Sequence, residues 1–282
     1  MAATDSRVCG RCSLSSRKSA LALAHVCVFQ YSTGMPKPVS IVVGASSGIG
    51  ECIARRLATA GEQVALLARR GAEVERIAKE INESVGGEVA VGVQHDVTAW
   101  EEVDEVWDGI EAKLGSVGSM YFAAGILEHV AMDEFDTEKD KRHIDINTIG
   151  SIAWVNAAAR RFAPRGSGMI VGISSVAQDR GRVGRPVYNA SKSGMDTHLE
   201  AVRNRIWRKG VTVTTIRPGM VETPMTADIE KLVWPISADR AAELTIRCAR
   251  KNKAVAYIPA RWRLVMFIIR SMPSFIFRKL NV

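Results

Sequence analysis

The 282-residue sequence has few aromatic side chains (6%), five histidines and no apolar run near the roughly 18 residues that cross a bilayer. The stretch from Ala20 to Tyr31 is shorter than that and contains His25, so no membrane span is expected. Cysteine is scarce and odd in number (Cys9, Cys12, Cys27, Cys52, Cys248), which argues against a disulfide framework. Cys9 and Cys12 form a CxxC, but no second pair follows at the spacing of a tetrahedral zinc site, and no metal site is expected. What is present is ordinary for a globular chain: 47% hydrophobic and 24% charged residues, with 23 Gly and 9 Pro. This composition excludes a disordered or collagenous protein.

Carboxylates are nearly absent from both ends. The net charge of +8 is therefore unevenly placed. Residues 1–34 hold Arg7, Arg11, Arg17 and Lys18 against Asp5, and residues 261–282 hold Arg261, Arg263, Arg270, Arg278 and Lys279 with no acid. The stretch between them is neutral, so a basic surface of the kind that binds nucleic acid is not expected. Residues 1–34, rich in Ser, Arg and Ala, read as a disordered leader. Two readings stay open there, a targeting segment for organellar import or an extension ahead of a start at Met35. Residues 35–260 read as one catalytic domain, and 261–282 as a basic amphipathic tail.

From Val39 onward, short β-branched runs alternate with amphipathic stretches, a pattern that predicts parallel strands joined by crossover helices. Strands are expected at Val39–Val43, Gln63–Ala68, Glu88–Val93, Ser119–Phe122, Gly168–Ile173, Val211–Ile216 and Ala254–Ile258. Trp100, Val103, Val106, Trp107, Ile110 and Leu114 recur at helical offsets and predict one sheet-facing helix surface. The fold class is α/β, a doubly wound, mostly parallel seven-stranded sheet in a single domain.

The first strand runs into Gly44-Ala45-Ser46-Ser47-Gly48-Ile49-Gly50 and then a helix. Glycines at a strand-to-helix turn let the backbone approach a pyrophosphate, and the helix N-terminus supplies free N–H groups and partial positive charge. A tight packing turn is the competing explanation. The second strand ends in Arg69-Arg70 with no carboxylate to bond ribose hydroxyls. A guanidinium there pairs with a 2′-phosphate, which points to NADP(H) over NAD(H). Asp96-Val97 after the third strand offers a carboxylate to the adenine edge or, equally, a helix N-cap.

Tyr188 and Lys192 are four residues apart and share a helix face. A phenol is a poor acid near neutrality, and a neighbouring ammonium brings its pKa within reach. Ser174-Ser175 closes a strand thirteen residues upstream of Tyr188. Together these residues resemble the short-chain dehydrogenase/reductase family over about residues 38–260. The family's glycine motif matches Gly44, Gly48 and Gly50, its Asn–Ser–Tyr–Lys tetrad matches Asn147, Ser175, Tyr188 and Lys192, and its proline-glycine motif matches Pro218-Gly219 through Thr223. Val43 stands where the family usually has Thr, and Phe122-Ala123-Ala124-Gly125 where it usually has Asn-Asn-Ala-Gly.

The resemblance implies a Rossmann-type fold and a hydride transfer in which Ser175 and Tyr188 hold the carbonyl oxygen and Tyr188 passes the proton. Lys192 lowers the phenol's pKa and bonds the nicotinamide ribose, the Asn147 region holds a relay water, and Thr223 bonds the carboxamide. Cofactor contacts are expected from Gly44, Ser46, Ser47, Gly48, Ile49, Gly50, Arg69, Asp96, Val97, Ala123, Gly125, Tyr188, Lys192, Pro218, Gly219 and Thr223.

Pro224–Pro235, with Met225, Ile229, Leu232, Val233 and Trp234, reads as an apolar substrate lid or as a surface helix. The expected activity is an NADPH-dependent carbonyl reductase or alcohol dehydrogenase acting on a lipophilic ketone or secondary alcohol. Two alternatives stand beside it. The tail and Gln178–Arg182 are similar to reductases of lipid-linked keto-sugars at a membrane surface, and a catalytically silent NADP-binding scaffold would keep the fold without turnover. A cytoplasmic homodimer or homotetramer, with peripheral membrane contact through 261–282, completes the expectation.

Overall fold

The computed structural model describes residues 38–280. The leader read over residues 1–34, including Cys9 and Cys12, lies outside the described residues. The chain runs β1 (Val39–Val43), α1 (Gly48–Thr59), β2 (Gln63–Ala68), α2 (Gly71–Val85), β3 (Ala90–Gln94), α3 (Val103–Leu114) and β4 (Val117–Phe122). It continues through α4 (Thr137–Ile144), α5 (Gly150–Arg165), β5 (Gly168–Ile173), α6 (Pro186–Ile206) and β6 (Val211–Pro218). A two-strand flap, β7 (Val221–Glu222) and β8 (Ile236–Ser237), precedes α7 (Ala238–Arg250), β9 (Val255–Ile258), α8 (Trp262–Ser271) and α9 (Ser274–Phe277).

Seven strands form one all-parallel sheet in the order β3-β2-β1-β4-β5-β6-β9. The alternation of side chains along each strand divides the core in two. Val42, Val64, Leu66, Tyr121, Val171 and Ile216 face α1, α2 and α7, whereas Ile41, Val43, Leu67, Met120, Phe122 and Ile170 face α3, α5 and α6. Each fully buried Val, Leu or Ile contributes about 1.5–3 kcal/mol, and both faces are covered, as a parallel sheet requires.

The expected strands are present with small differences at their ends. β3 begins at Ala90, not Glu88, because the Asn82 side chain accepts the N–H groups of Val89 and Ala90 and ties the strand's approach to α2. β6 runs on to Pro218 because β9 pairs with it as far as Ile258. Trp100 is not on the buried helix face. It sits in a 3₁₀ turn (Trp100–Glu102) ahead of α3 and is 54% exposed, while Val103, Trp107 and Ile110 are buried.

The segment after residue 260 packs onto the body. Trp262 and Met266 of α8 are buried with Val176, and Arg180 donates to the Ile269 and Met272 carbonyls at the C-terminal end of α8. Those carbonyls have no acceptor-satisfying amide within the helix, so the arginine completes its end. No helix among the described residues is long and apolar enough to cross a membrane. Strand order reverses between β1 and β4, and the crevice that opens there at the strand C-termini holds the site.

Candidate active site

The sheet's C-terminal edge opens into a cleft of about 560 Å³. At its floor the β1–α1 turn needs glycine. Gly44 has φ +88°, and a Cβ there would lie 2.4 Å from the Ala124 nitrogen, while one at Gly50 would lie 2.2 Å from the Gly44 carbonyl oxygen. The turn thereby brings backbone, not side chain, to the cleft surface. Ser47 is the N-cap of α1 and makes no side-chain cap bond, and Gly48, Ile49 and Gly50 line the cleft, so the first amides of the helix face it. Arg69 and Arg70 line the cleft at the end of β2, both exposed. Arg70 donates to the Ser46 and Ser47 hydroxyls at 2.8 and 3.2 Å. This glycine cradle, uncapped helix end and paired guanidinium groups fit the diphosphate and a 2′-phosphate of a dinucleotide.

Along the cleft, Asp96 accepts from the Thr98 amide and hydroxyl, so the N-cap-like turn is formed with the residue still lining the wall beside Val97. Burial works against the Asp96 anion, and the Thr98 bonds outweigh it and hold the carboxyl below its ordinary range. Ala123 and Gly125 follow β4 and also line the cleft. Small residues suit this wall because the Gly44 turn touches the Ala124 backbone. Pro218, Gly219 and Thr223 also line the cleft, Thr223 lying against Gly48 of the glycine turn. Gly219 has no alternative residue, since a Cβ would enter the Trp262 ring of α8.

Asn147, Ser175, Tyr188 and Lys192 come together at the other end. Asn147 lies in a π-helical turn, Asp145–Ile149, fully buried behind the cleft wall. Its amide accepts from the Ile126 N–H at 2.8 Å and donates to the Ile126 carbonyl and the Ser191 hydroxyl. Wide turns of this kind displace one residue from the regular helical ladder and recur at functional sites. Lys192 Nζ donates to the Ile173 carbonyl at 3.1 Å and lies 6.0 Å from the Tyr188 ring centroid. Ser175 Oγ accepts from the Ala177 N–H at 3.0 Å, so its hydroxyl anchors its own turn as well as lining the cleft beside Tyr188.

Burial sets the titration of this end. It pushes the Tyr188 phenol above its ordinary value, with the Ser175 hydrogen bond and the Arg185 and Arg182 charges pulling the other way. Burial also pushes the Lys192 ammonium down to about 8. The downward pull on the phenol comes from Ser175 and two arginines.

Sequence reasoning missed three features. Of the Arg69-Arg70 pair, Arg70 is the guanidinium that closes on the serines of the glycine turn, a choice the sequence leaves open. Arg182 and Arg185 line the cleft near Tyr188, and only that proximity could have drawn notice. Behind Tyr188, Arg217 donates to both Asp196 oxygens at 3.0 and 2.7 Å and to the Tyr257 hydroxyl, which donates to Asp179 at 2.9 Å. Burial opposes the Arg217 cation, and the Asp196 bonds outweigh it. This network joins α6, β6, β9 and the turn after Ser175, contacts with no local sequence signature.

A family profile described as short chain dehydrogenase matches residues 38–233. The chain belongs to the short-chain dehydrogenase family. An uncharacterized oxidoreductase of Staphylococcus saprophyticus is 33% identical over 192 residues, 68% of this chain and 82% of the relative. Carbonyl reductase family member 4 of Danio rerio is 31% identical over 212 residues, 75% and 84% of the two chains. Among solved structures, an actinorhodin polyketide ketoreductase with NADPH superposes with a TM-score of 0.71 at 28% identity, covering 78% of this chain and 95% of that one. A short-chain dehydrogenase from Sphingobium yanoikuyae in complex with NADPH shares the fold, with a TM-score of 0.72 at 22% identity over 84% and 97% of the chains. This short-chain dehydrogenase is an NAD(P)-dependent oxidoreductase acting on CH–OH groups, with a small-molecule substrate.

Proposed function

We propose that this short-chain dehydrogenase is an NADPH-dependent reductase of lipophilic ketones. The observation that carries the reading is the cleft itself. Ser175, Tyr188 and Lys192 meet at one end, and Arg69 and Arg70 flank the glycine turn at the other. Gly44, Ser46, Ser47, Gly48, Ile49 and Gly50 would hold the diphosphate, Arg69 and Arg70 the 2′-phosphate, and Asp96, Val97, Ala123 and Gly125 the adenosine half and its ribose. Lys192, Pro218, Gly219 and Thr223 would hold the nicotinamide half. When bound, the reduced cofactor supplies a hydride for the carbonyl carbon.

The protein's own groups manage the oxygen. The Ser175 hydroxyl donates a hydrogen bond to the substrate carbonyl, and the Tyr188 phenol gives its proton to the oxygen as the alcohol forms. Burial raises that phenol above its ordinary value, so it holds the proton that the carbonyl oxygen takes. Asn147 acts as a positioning residue by fixing the Ile126 backbone beside Lys192 and Ser191. The lipophilic preference rests on Met220, Met225 and Ile229, which line the mouth.

The tail fits peripheral contact with an anionic lipid surface. α8 buries Trp262 and Met266 but leaves Leu264, Phe267 and Ile268 exposed at 55–67%, with Phe275, Ile276 and Leu280 beyond them. Among the described residues no ion pair engages Arg263, Arg278 or Lys279, which leaves cationic groups beside that apolar strip. A cytoplasmic homodimer or homotetramer with one catalytic domain over 35–260 remains part of the proposal, α8 being packed against that domain.

The test is Tyr188→Phe. Ketone reduction should fall by about three orders of magnitude, the scale of a general-acid contribution, with NADPH affinity nearly unchanged by fluorescence titration. Retained turnover would overturn the assignment.

A further inference from the structure

The cleft carries positive charge at both ends, and the cofactor accounts for only one of them. Arg69 and Arg70 stand at the glycine turn. Arg182 and Arg185 stand at the Tyr188 end, on the segment between the Ser175 turn and α6. Among the residues lining the cleft, Asp96 is the only carboxylate, and it is engaged by Thr98 far along the wall.

Neighbouring arginines show how this chain treats a guanidinium that has only a structural task. Arg180 donates to the Ile269 and Met272 carbonyls and to Ser274, and stacks on the Phe277 ring at 4.0 Å. Arg217 is bonded at both ends of its fork by Asp196 and Tyr257. Arg182 differs. Among the described residues its only hydrogen-bond contact is a weak one to the Met266 sulfur at 3.7 Å, its Nε is buried with no partner, and it forms no ion pair. The nearest acid, Asp179, accepts from Tyr257 and Gln178 and sits beside Arg217 and Arg270. Arg185, the N-cap of α6, makes no side-chain cap bond and no ion pair among the described residues.

A guanidinium whose Nε is buried without an acceptor is costly unless something completes it. Both arginines act on the Tyr188 phenol through their charge, so both lie within electrostatic reach of the atom that meets the carbonyl. The rest of this end is apolar, lined by Ile126, Leu127, Val176, Met220, Met225 and Ile229.

We infer that Arg182 and Arg185 form an oxyanion-accepting subsite, and that the substrate is an amphiphilic ketone bearing a carboxylate or a phosphate. This rests on the reductase reading and specifies its substrate class. The anion is bound by the fork of Arg182, with Arg185 adding charge, while the alkyl portion lies against the methionine-lined mouth. The redox chemistry is unchanged, since the anion neither forms nor breaks a bond.

The experiment uses full-length protein with NADPH and matched aliphatic ketones in three forms: neutral methyl ester, free carboxylate and phosphate monoester. The wild-type protein should favour at least one anionic form over the neutral one by roughly 30-fold in kcat/KM, the size expected of charge-assisted hydrogen bonds in a partly dehydrated site. The free acid and the phosphate arms identify which oxyanion is taken. Arg182→Met should collapse that ratio toward one, and Arg182→Lys should restore part of it. An equal loss on charged and neutral ketones would make Arg182 a prop for Met266 only and overturn the inference, as would a wild-type preference for the neutral form.

Calorimetric binding of dodecyl phosphate and dodecanoate, with dodecanol as the control, separates the two claims. Arg182-dependent binding without reduction of any ketone would keep the subsite and sink the reductase reading. Tyr188-dependent reduction with no Arg182-dependent discrimination would do the reverse.

Discussion

Lys192 carries a cost that its position explains. Its ammonium is buried, bonded to a single carbonyl, and pushed down to about 8. Below that pH the folded and unfolded chains both hold the proton and the penalty of burying it is fully present. Between about 8 and the ordinary lysine value the unfolded chain binds more protons, so stability rises with pH across this window. Lys192→Met should therefore stabilise the protein at pH 7, by on the order of 1–3 kcal/mol, while removing activity. Denaturant melts at pH 7 and pH 10 should show the gain shrinking at the higher pH, and an unchanged gain would contradict the assignment. Because burial holds the Tyr188 phenol above its ordinary value, the proton donor stays loaded, and a kcat/KM profile for ketone reduction should hold level through neutral pH. At the glycine turn, the proposed 2′-phosphate contacts predict that Arg69→Asp combined with Arg70→Ser raises the NADH-to-NADPH ratio of kcat/KM by roughly 10- to 100-fold, the worth of two charge-assisted contacts. Unchanged preference would place the 2′-phosphate elsewhere.

At the scale of elements, the strands were readable because a parallel sheet covered on both sides demands near-continuous β-branched runs, as in Val39–Val43 and Val211–Ile216. The glycine turn and the Tyr188–Lys192 spacing were readable because each is local. Which of Arg69 and Arg70 closes on the serines was not legible, because two adjacent residues at a strand end point in different directions and sequence does not say which returns to the turn. The Asp179–Tyr257–Arg217–Asp196 network joins residues up to 78 positions apart, and nothing local announces it. The tail was ambiguous for a physical reason. An apolar helix with arginines reads alike as packed or as interfacial, and α8 packs one face on the body and leaves the other exposed. Replacing Leu264 and Phe267 by Asp should abolish flotation with anionic liposomes and leave thermal stability within a few degrees, because both side chains are exposed. Met266→Ala should instead cost about 2–5 kcal/mol, the range for a large-to-small change in a core, since Met266 is fully buried under the Ser175 turn. Flotation that survives the double substitution would remove the lipid surface from the account.

At the scale of the whole molecule, the formal charge of +8 resolves into local tasks. Within the described residues, arginines mark both ends of the cleft and the exposed face of the tail, while most other charges pair with one another, as in Arg55 with Glu51 and Glu80 or Arg161 with Asp104 and Asp108. The fold places its crevice where strand order reverses, and both the glycine turn and Tyr188 line it. The account depends on this cleft transferring hydride rather than only holding a nucleotide. The most direct measurement is mass spectrometry of the alcohol formed from an aliphatic keto acid with NADPH deuterated at nicotinamide C4. The account predicts one deuterium on the carbinol carbon, delivered from a single face of the cofactor and lost with Tyr188→Phe. NADPH binding with no labelled alcohol from any of the charged or neutral ketones would contradict it and leave a nucleotide-binding scaffold.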